Sequence, residues 1–487
     1  MKFIHATCIG FLLSVTATHS VELPPTVRNA LKQANIPLAS VGIEVREING
    51  AASLLDVNSR QAMNPASTMK LLTTYAALEI LGPAYTWRTE AYLDGQLDNG
   101  VLNGNLIIKG YGNPKMNAEH LWLWLHELRN RGLREIKGDL ILDHSAFSPQ
   151  ESDPTLFDND PKRAYNVAPD ALLLNFNAVR LHFLPADGKV DVYTEPVLAG
   201  VTLSNKVKLK SQRNCGDWND KIRIDSSENA IRLQGLYPAP CGERDKAISL
   251  LSHERFFDAV FRAVWQEVGG TLQGIAHDGS VPASAMLFAT HYSQPLSEII
   301  RDINKFSNNV MARQLYLSLS LGKIPPALNI PLENTSTDDT FPVTPQAPAN
   351  VEKSEVILRE WINKKGLDFP ELVIENGAGL SRKARISAHS MASLLQDIQL
   401  SPYSAEIEAS LPIAGVDGTM RKRHDNCAVT THAHMKTGSL EGVKTIAGYL
   451  QSHSGKQWIF VFMINHPNAS MGQQAQDELL EWLEQTY

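Results

Sequence analysis

The sequence predicts an α/β (α+β) fold, a helical cluster on an antiparallel sheet, interrupted by a long β-rich insert. Three observations predict it. Apolar and polar residues alternate with period two near both ends of the chain. Strong helical periodicity follows Ser67 and returns from about residue 286. Between 88 and 285 the texture changes to short β-like runs.

In chain order, Lys2, the apolar stretch Ile9–Val15 and small residues at Ala17 and Ser20 read as a secretory signal peptide over residues 1–20. The stretch is too short to span a bilayer, so export to the periplasm is expected. Residues 39–56 alternate as a hairpin turning at Asn49-Gly50. From Ser67, Met69, Leu71, Leu72, Tyr75, Leu78 and Leu81 recur at helical spacing until Gly82-Pro83 stops them. The insert carries Leu106-Ile107-Ile108, Leu140-Ile141-Leu142 and a helix from Ala118 to Arg131 with Trp122 and Trp124. Those two indoles are assigned to packing rather than to a sugar platform. Two further stripes follow, Leu296/Ile299/Ile300/Ile303 and Val310/Met311/Leu315/Leu319, with a break at Ser307-Asn308-Asn309. Residues 324–350, rich in Pro, Asn, Thr and Asp, read as a flexible loop. Ala433–Gly438, Val443–Leu450 and Trp458–Ile464 are strand candidates, and Gln474–Gln485 closes the chain as a helix with an acidic polar face.

The 487 residues exceed one ordinary domain. A net charge of −7, spread along the chain, gives no basic footprint and excludes a nucleic-acid partner. Membrane association is loose at most, and a homodimer is admitted. Cys8 leaves with the signal peptide. An oxidising compartment permits a Cys215–Cys241 disulfide, the alternative being two free thiols in turns; Cys427 is expected to be free. Without a CxxC pair no metal is expected. His432 and His434, two apart on a strand, lack an evident third ligand.

The chemistry is carried by three short motifs. Ser67-x-x-Lys70 puts a hydroxyl at a helix start and an amine one turn on, the pairing that a serine nucleophile needs. Ser307-x-Asn309 lies in a break between helices. Lys436-Thr437-Gly438, followed by Ser439, lies on a strand, where glycine lets a ligand approach the backbone. Decoys exist at Ser320–Lys323 and Ser227-Glu228-Asn229, the first at a fraying helix end and the second in a polar turn. Only Ser67, Ser307 and Lys436 give the order helix, loop, strand expected of penicillin-binding proteins and class A β-lactamases.

Beyond that triple, the chain resembles the class C low-molecular-mass penicillin-binding proteins of the D-Ala-D-Ala carboxypeptidase/endopeptidase family. Stretches 64–71, 108–114, 138–140, 168–177, 377–382 and 411–419 carry the likeness, which extends over nearly all of the mature chain. Tyr111 and Asn113 stand where Gly and Asp are expected. The resemblance implies a penicillin-recognising serine transpeptidase-like domain from 21–87 and 286–487. It also implies an inserted domain from 88–165 and 246–285, and a nested β-rich domain at 166–245. It implies Ser67 as nucleophile, Lys70 as its base and Ser307 as proton relay. Asn309, Lys436, Thr437, Gly438 and Ser439 would bind substrate, with an oxyanion hole at the N–H groups of Ser67 and Ser439. The expected function is a D,D-carboxypeptidase and endopeptidase acting on peptidoglycan peptides, acylated by β-lactams and needing no cofactor. A β-lactamase or esterase, or a non-catalytic wall-binding scaffold, are the alternatives. Arg382 is a minor candidate for substrate contact.

Overall fold

The computed structural model describes residues 21–50, 52–149, 157–322, 347–424 and 427–487. The expected signal peptide and most of the expected 324–350 loop lie outside them.

Chain ends meet in one sheet. Its five antiparallel strands run in the order Ala433–Leu440, Val443–Gln451, Gln457–Asn465, Val41–Glu47, Ser53–Val57. The alternation read in the sequence is real, but both faces are covered. Along Gln457–Asn465, Phe460, Phe462 and Ile464 pack towards the helices Pro25–Gln33 and Gln473–Thr486. Ile459, Val461 and Met463 face the opposite way, into the helical cluster. Period two thus divides one strand between two cores.

At the centre of that cluster lies the helix Lys70–Leu81. Ten of its twelve residues are buried, so it is a core helix without a polar face. Gly82, at φ +90°, ends it. The residues just before, Ala66–Met69, form a 3₁₀ turn, so Ser67 precedes the α-helix proper. The helices Leu296–Lys305, Asn309–Leu321, Val351–Lys364 and Ala388–Leu400 pack around it.

The intervening chain builds its own core on a seven-stranded mixed sheet and two three-stranded sheets. Met286–Tyr292, where helical periodicity was expected to return, is a strand paired with Arg88–Asp98; the helix starts at Leu296. The helix Ala118–Asn130 buries Trp124 and leaves Trp122 half-exposed, its Nε1 donating to Glu267. Cys215 and Cys241 are bonded to each other, and Cys427 is free. The insert is tied to the helix Asn309–Leu321: Gln314 exchanges two hydrogen bonds with the backbone of Asp170, and Arg313 donates to Val167 O. No helix among the described residues is long and apolar enough to cross a membrane.

Candidate active site

The turn that holds Ser67 is fixed from three sides. Asn64 Oδ1 accepts from Ala66 N at 2.9 Å, and Asn64 N donates to Asn465 Oδ1. Both Thr68 Oγ1 and Thr445 Oγ1 donate to Pro65 O at 2.7 Å. Ala66 takes a φ of +46°, a left-handed conformation that these contacts hold in place beside the serine. Across the turn, a Cβ at Gly379 would lie 1.8 Å from Ala66 O, so only glycine fits. Gly438 fits for a similar reason: a Cβ there would meet Thr445 Oγ1 at 2.3 Å and Ser67 N at 2.9 Å. The strand Ala433–Leu440 therefore lies directly against the serine turn.

Three elements converge on Ser67. Lys70 Nζ lies 2.9 Å from Ser67 Oγ, 2.7 Å from Asn309 Oδ1 and 2.6 Å from Ala378 O. Asn308 caps the helix Asn309–Leu321 by accepting from Met311 N, which fixes Asn309 at its first turn. Ser307, at φ +56°, accepts at 2.9 Å from Lys436 Nζ, which also donates to Thr437 O at 2.8 Å. Thr437 Oγ1 donates to Thr419 Oγ1 at 2.7 Å. All eight expected residues are thus brought into one neighbourhood. Ser67, Ser307, Asn309, Thr437 and Ser439 line an open cleft of ≈ 770 Å³, with Lys70, Lys436 and Gly438 buried behind its wall.

Both lysines are buried, with no carboxylate partner among the described residues. Burial, and then the neighbouring Lys436, pulls Lys70 well below an ordinary lysine. Burial brings Lys436 to about 7. A neutral lysine has two N–H bonds and one lone pair. Asn309 Oδ1 and Ala378 O are acceptors only, and occupy both N–H bonds. The lone pair is left for the hydroxyl of Ser67. This arrangement can take a proton from a serine at neutral pH.

Sequence reasoning missed the carbonyl of Ala378, presented by a loop that Asn376 braces and Thr73 holds through Gly377 O. It also missed Thr419, Arg163, Lys422, Arg423 and Lys444, whose cations outnumber the carboxylates of Asp158 and Glu441 around the cleft. A cleft of that sign draws anionic peptides. Arg382 lines it too, bonded to Glu441 and lying over the ring of Phe157. The decoy motifs are elsewhere: Ser320 lies within the helix Asn309–Leu321, and Ser227 at the end of an insert strand. His434 bonds Glu408 O while His432 faces Glu484, so the two do not converge. A second cavity, ≈ 680 Å³, lies beside His144 and Asp170 and contains none of the motif residues.

A helical cluster on a five-stranded antiparallel sheet, with serine and lysine one turn apart, defines a penicillin-binding-protein fold and a hydrolase. The chain belongs to the D-Ala-D-Ala carboxypeptidase 3 (S13) family, matched over residues 24–329 and 342–486. It is 25% identical over 468 residues to the D-alanyl-D-alanine carboxypeptidase DacB of Haemophilus influenzae, covering 94% of this chain and 92% of that protein. It is 26% identical over 469 residues to the D-alanyl-D-alanine carboxypeptidase of Actinomadura sp. (strain R39), covering 91% and 81%. The crystal structure of penicillin binding protein 4 from Haemophilus influenzae has the same fold. Its TM-score is 0.73 at 22% identity, over 93% of this chain and 99% of that one, and it has also been solved with a β-lactam bound. The class and fold expected from the sequence are borne out.

Proposed function

We propose that Ser67 is the nucleophile of a D,D-carboxypeptidase and endopeptidase acting on peptidoglycan stem peptides. The observation that carries the reading is the position of the buried Lys70 Nζ, 2.9 Å from Ser67 Oγ, with the acceptor-only oxygens of Asn309 and Ala378 as its other two partners. In this mechanism Lys70 takes the proton as Ser67 Oγ bonds to the carbonyl carbon between two D-alanines. The N–H groups of Ser67 and Ser439 stabilise the oxyanion. Collapse breaks the C–N bond, and the proton that Lys70 took passes through Ser307, which Lys436 holds, to the leaving amine, so that Lys70 is neutral again. Water then hydrolyses the ester and regenerates the serine. A charged Lys436, with Thr437, holds the terminal carboxylate, and the cationic rim favours such acidic peptides. No step requires a metal or an organic cofactor. β-Lactams acylate the same oxygen. The Cys215–Cys241 bond and the leader read at residues 1–20 support a periplasmic location.

The test is the intact mass of the protein after brief exposure to benzylpenicillin, beside Ser67→Ala. A stable adduct on the parent protein alone is the expected result. A transient adduct with net drug hydrolysis would indicate a β-lactamase. No adduct on folded protein would remove the enzyme reading and leave a scaffold.

A further inference from the structure

We propose that His424, Cys427 and Glu481 form a site for a zinc-class divalent cation behind the cleft wall. Their candidate ligand atoms, a ring nitrogen, the thiol sulfur and a carboxylate oxygen, all lie within 4.8 Å of one another. They come from two parts of the chain. His424 and Cys427 lie at His-x-x-Cys spacing in the sequence, and Glu481 comes from the helix Gln473–Thr486.

Four further observations favour a cation. The His424 side chain is only 1% exposed. Both ring nitrogens face carboxylates, Nδ1 at 3.3 Å from Glu481 Oε1 and Nε2 at 3.0 Å from Asp477 Oδ1. A ring that donates through Nε2 to Asp477 presents its other nitrogen as a lone pair beside Glu481. A cation between Nδ1 and Glu481 removes that conflict, and Asp477 becomes the outer carboxylate that orients the ring. The spacing is right as well. Nitrogen and oxygen bound to one zinc at about 2.0–2.1 Å lie roughly 3.3 Å apart at the tetrahedral angle. Finally, Cys427 has no partner thiol among the described residues, since Cys215 and Cys241 are bonded to each other. A thiolate and a carboxylate together balance a divalent ion.

The turn is braced for this. Thr430 Oγ1 donates to His424 O and accepts from Cys427 N at 3.1 Å, so one side chain spans both ligands. Arg423, which lines the cleft, is ion-paired with Asp477. A bound cation therefore fastens the turn carrying Arg423 to the C-terminal helix. It takes no part in the reaction.

The test is titration of the untagged, chelator-treated full chain with Co(II), followed by absorbance. One equivalent should give a near-ultraviolet thiolate-to-cobalt band and intense tetrahedral visible bands, both displaced by zinc. Cys427→Ser should lose the near-ultraviolet band, and His424→Ala and Glu481→Gln should weaken binding by about 10- to 100-fold. Zinc should also protect a thiol from Ellman's reagent in the parent protein but not in Cys427→Ser. Penicillin acylation of each variant serves as the check on folding. A Co(II) spectrum that is unchanged in Cys427→Ser, or no band at excess metal on acylation-competent protein, would overturn the site. Neither result bears on Ser67.

Discussion

The helix Lys70–Leu81 has a lysine at each end, and the fold treats the two in opposite ways. At its C-terminal end Lys365 reaches in from the end of Val351–Lys364, 2.9 Å from Asp397, 3.0 Å from Glu79 and 2.9 Å from the Tyr75 hydroxyl. Partial burial works against that charge, but the hydrogen bonds of Asp397 and Glu79 outweigh it and raise Lys365 above its ordinary value. At the N-terminal end Lys70 is fully buried among neutral oxygens, with a second buried lysine nearby, and is driven down. One end satisfies a charge and so ties three helices together, Val351–Lys364, Lys70–Leu81 and Ala388–Leu400. The other offers no carboxylate among the described residues, and burial there disfavours the protonated amine. Uncompensated burial is costly to stability, and its concentration at one cleft marks the place where chemistry takes precedence.

Exchanging the two lysines for a neutral side chain separates these roles most sharply. Lys70→Met should slow acylation by benzylpenicillin by about 10²–10⁴-fold, the usual contribution of a positioned base, without lowering Tm. Lys365→Met should leave acylation within about threefold but cost on the order of 1–2 kcal/mol of stability, because its partners are partly solvated. Stopped-flow acylation and thermal melts on both proteins decide it. Equal losses of stability from both would end the comparison.

The stability cost of the second buried lysine has a definite sign with pH. Lys436 titrates at about 7 in the fold, against 10.5 for an ordinary lysine. Between those values the unfolded chain binds the extra proton, so stability rises with pH through that window and the penalty is complete below it. Lys436→Met should therefore stabilise the protein most at pH 7 and below, by at most about 5 kcal/mol, with the gain gone near pH 10.5. A gain that did not vary with pH would show that Lys436 is not the titrating group.

A smaller change would make the reactive end resemble the structural one. Asn309→Asp places a carboxylate where an amide oxygen now lies 2.7 Å from Lys70 Nζ. A nearby negative charge favours the protonated amine and raises its pKa, so a higher pH is needed to free the lone pair. Acylation at pH 7 should fall by about 10- to 100-fold and recover on the alkaline side. An acid limb that stays put would mean that Asn309 does not govern the proton on Lys70.

Side-chain chemistry was legible in the sequence, and backbone chemistry was not. Ser67, Lys70, Ser307, Asn309 and Lys436 announce themselves by type and order, and the strands of the main sheet by period two. Ala378 acts through a carbonyl that any residue possesses. Its only trace is the pair of glycines around it, Gly377 at φ +67° and Gly379 at φ +73°. The cationic rim was hidden for another reason. Arg163, Lys422 and Lys444 are scattered over the chain, and only the packing of insert, turn and strand brings them to one cleft. Met286–Tyr292 was missed because it lies at the edge of its sheet beside Arg88–Asp98 with only Ala289 buried, so its sequence carries no alternation.

The smallest effect expected concerns substrate grip, not proton transfer. Thr437 Oγ1 donates to Thr419 Oγ1, and both residues line the cleft. Thr437→Val keeps the β-branched shape that suits a strand and removes one hydrogen-bonding group. A hydrogen bond of this kind contributes about 0.5–1.5 kcal/mol, which corresponds to a two- to tenfold fall in kcat/KM on a D-Ala-D-Ala peptide. The loss should fall on KM, since in the proposed mechanism the hydroxyl grips the terminal carboxylate before and during the reaction alike. The acid limb of the pH profile should not move, because nothing in the change touches Lys70. A shifted acid limb would place Thr437 within the proton network, and the division between a reactive lysine and a binding rim would have to be redrawn.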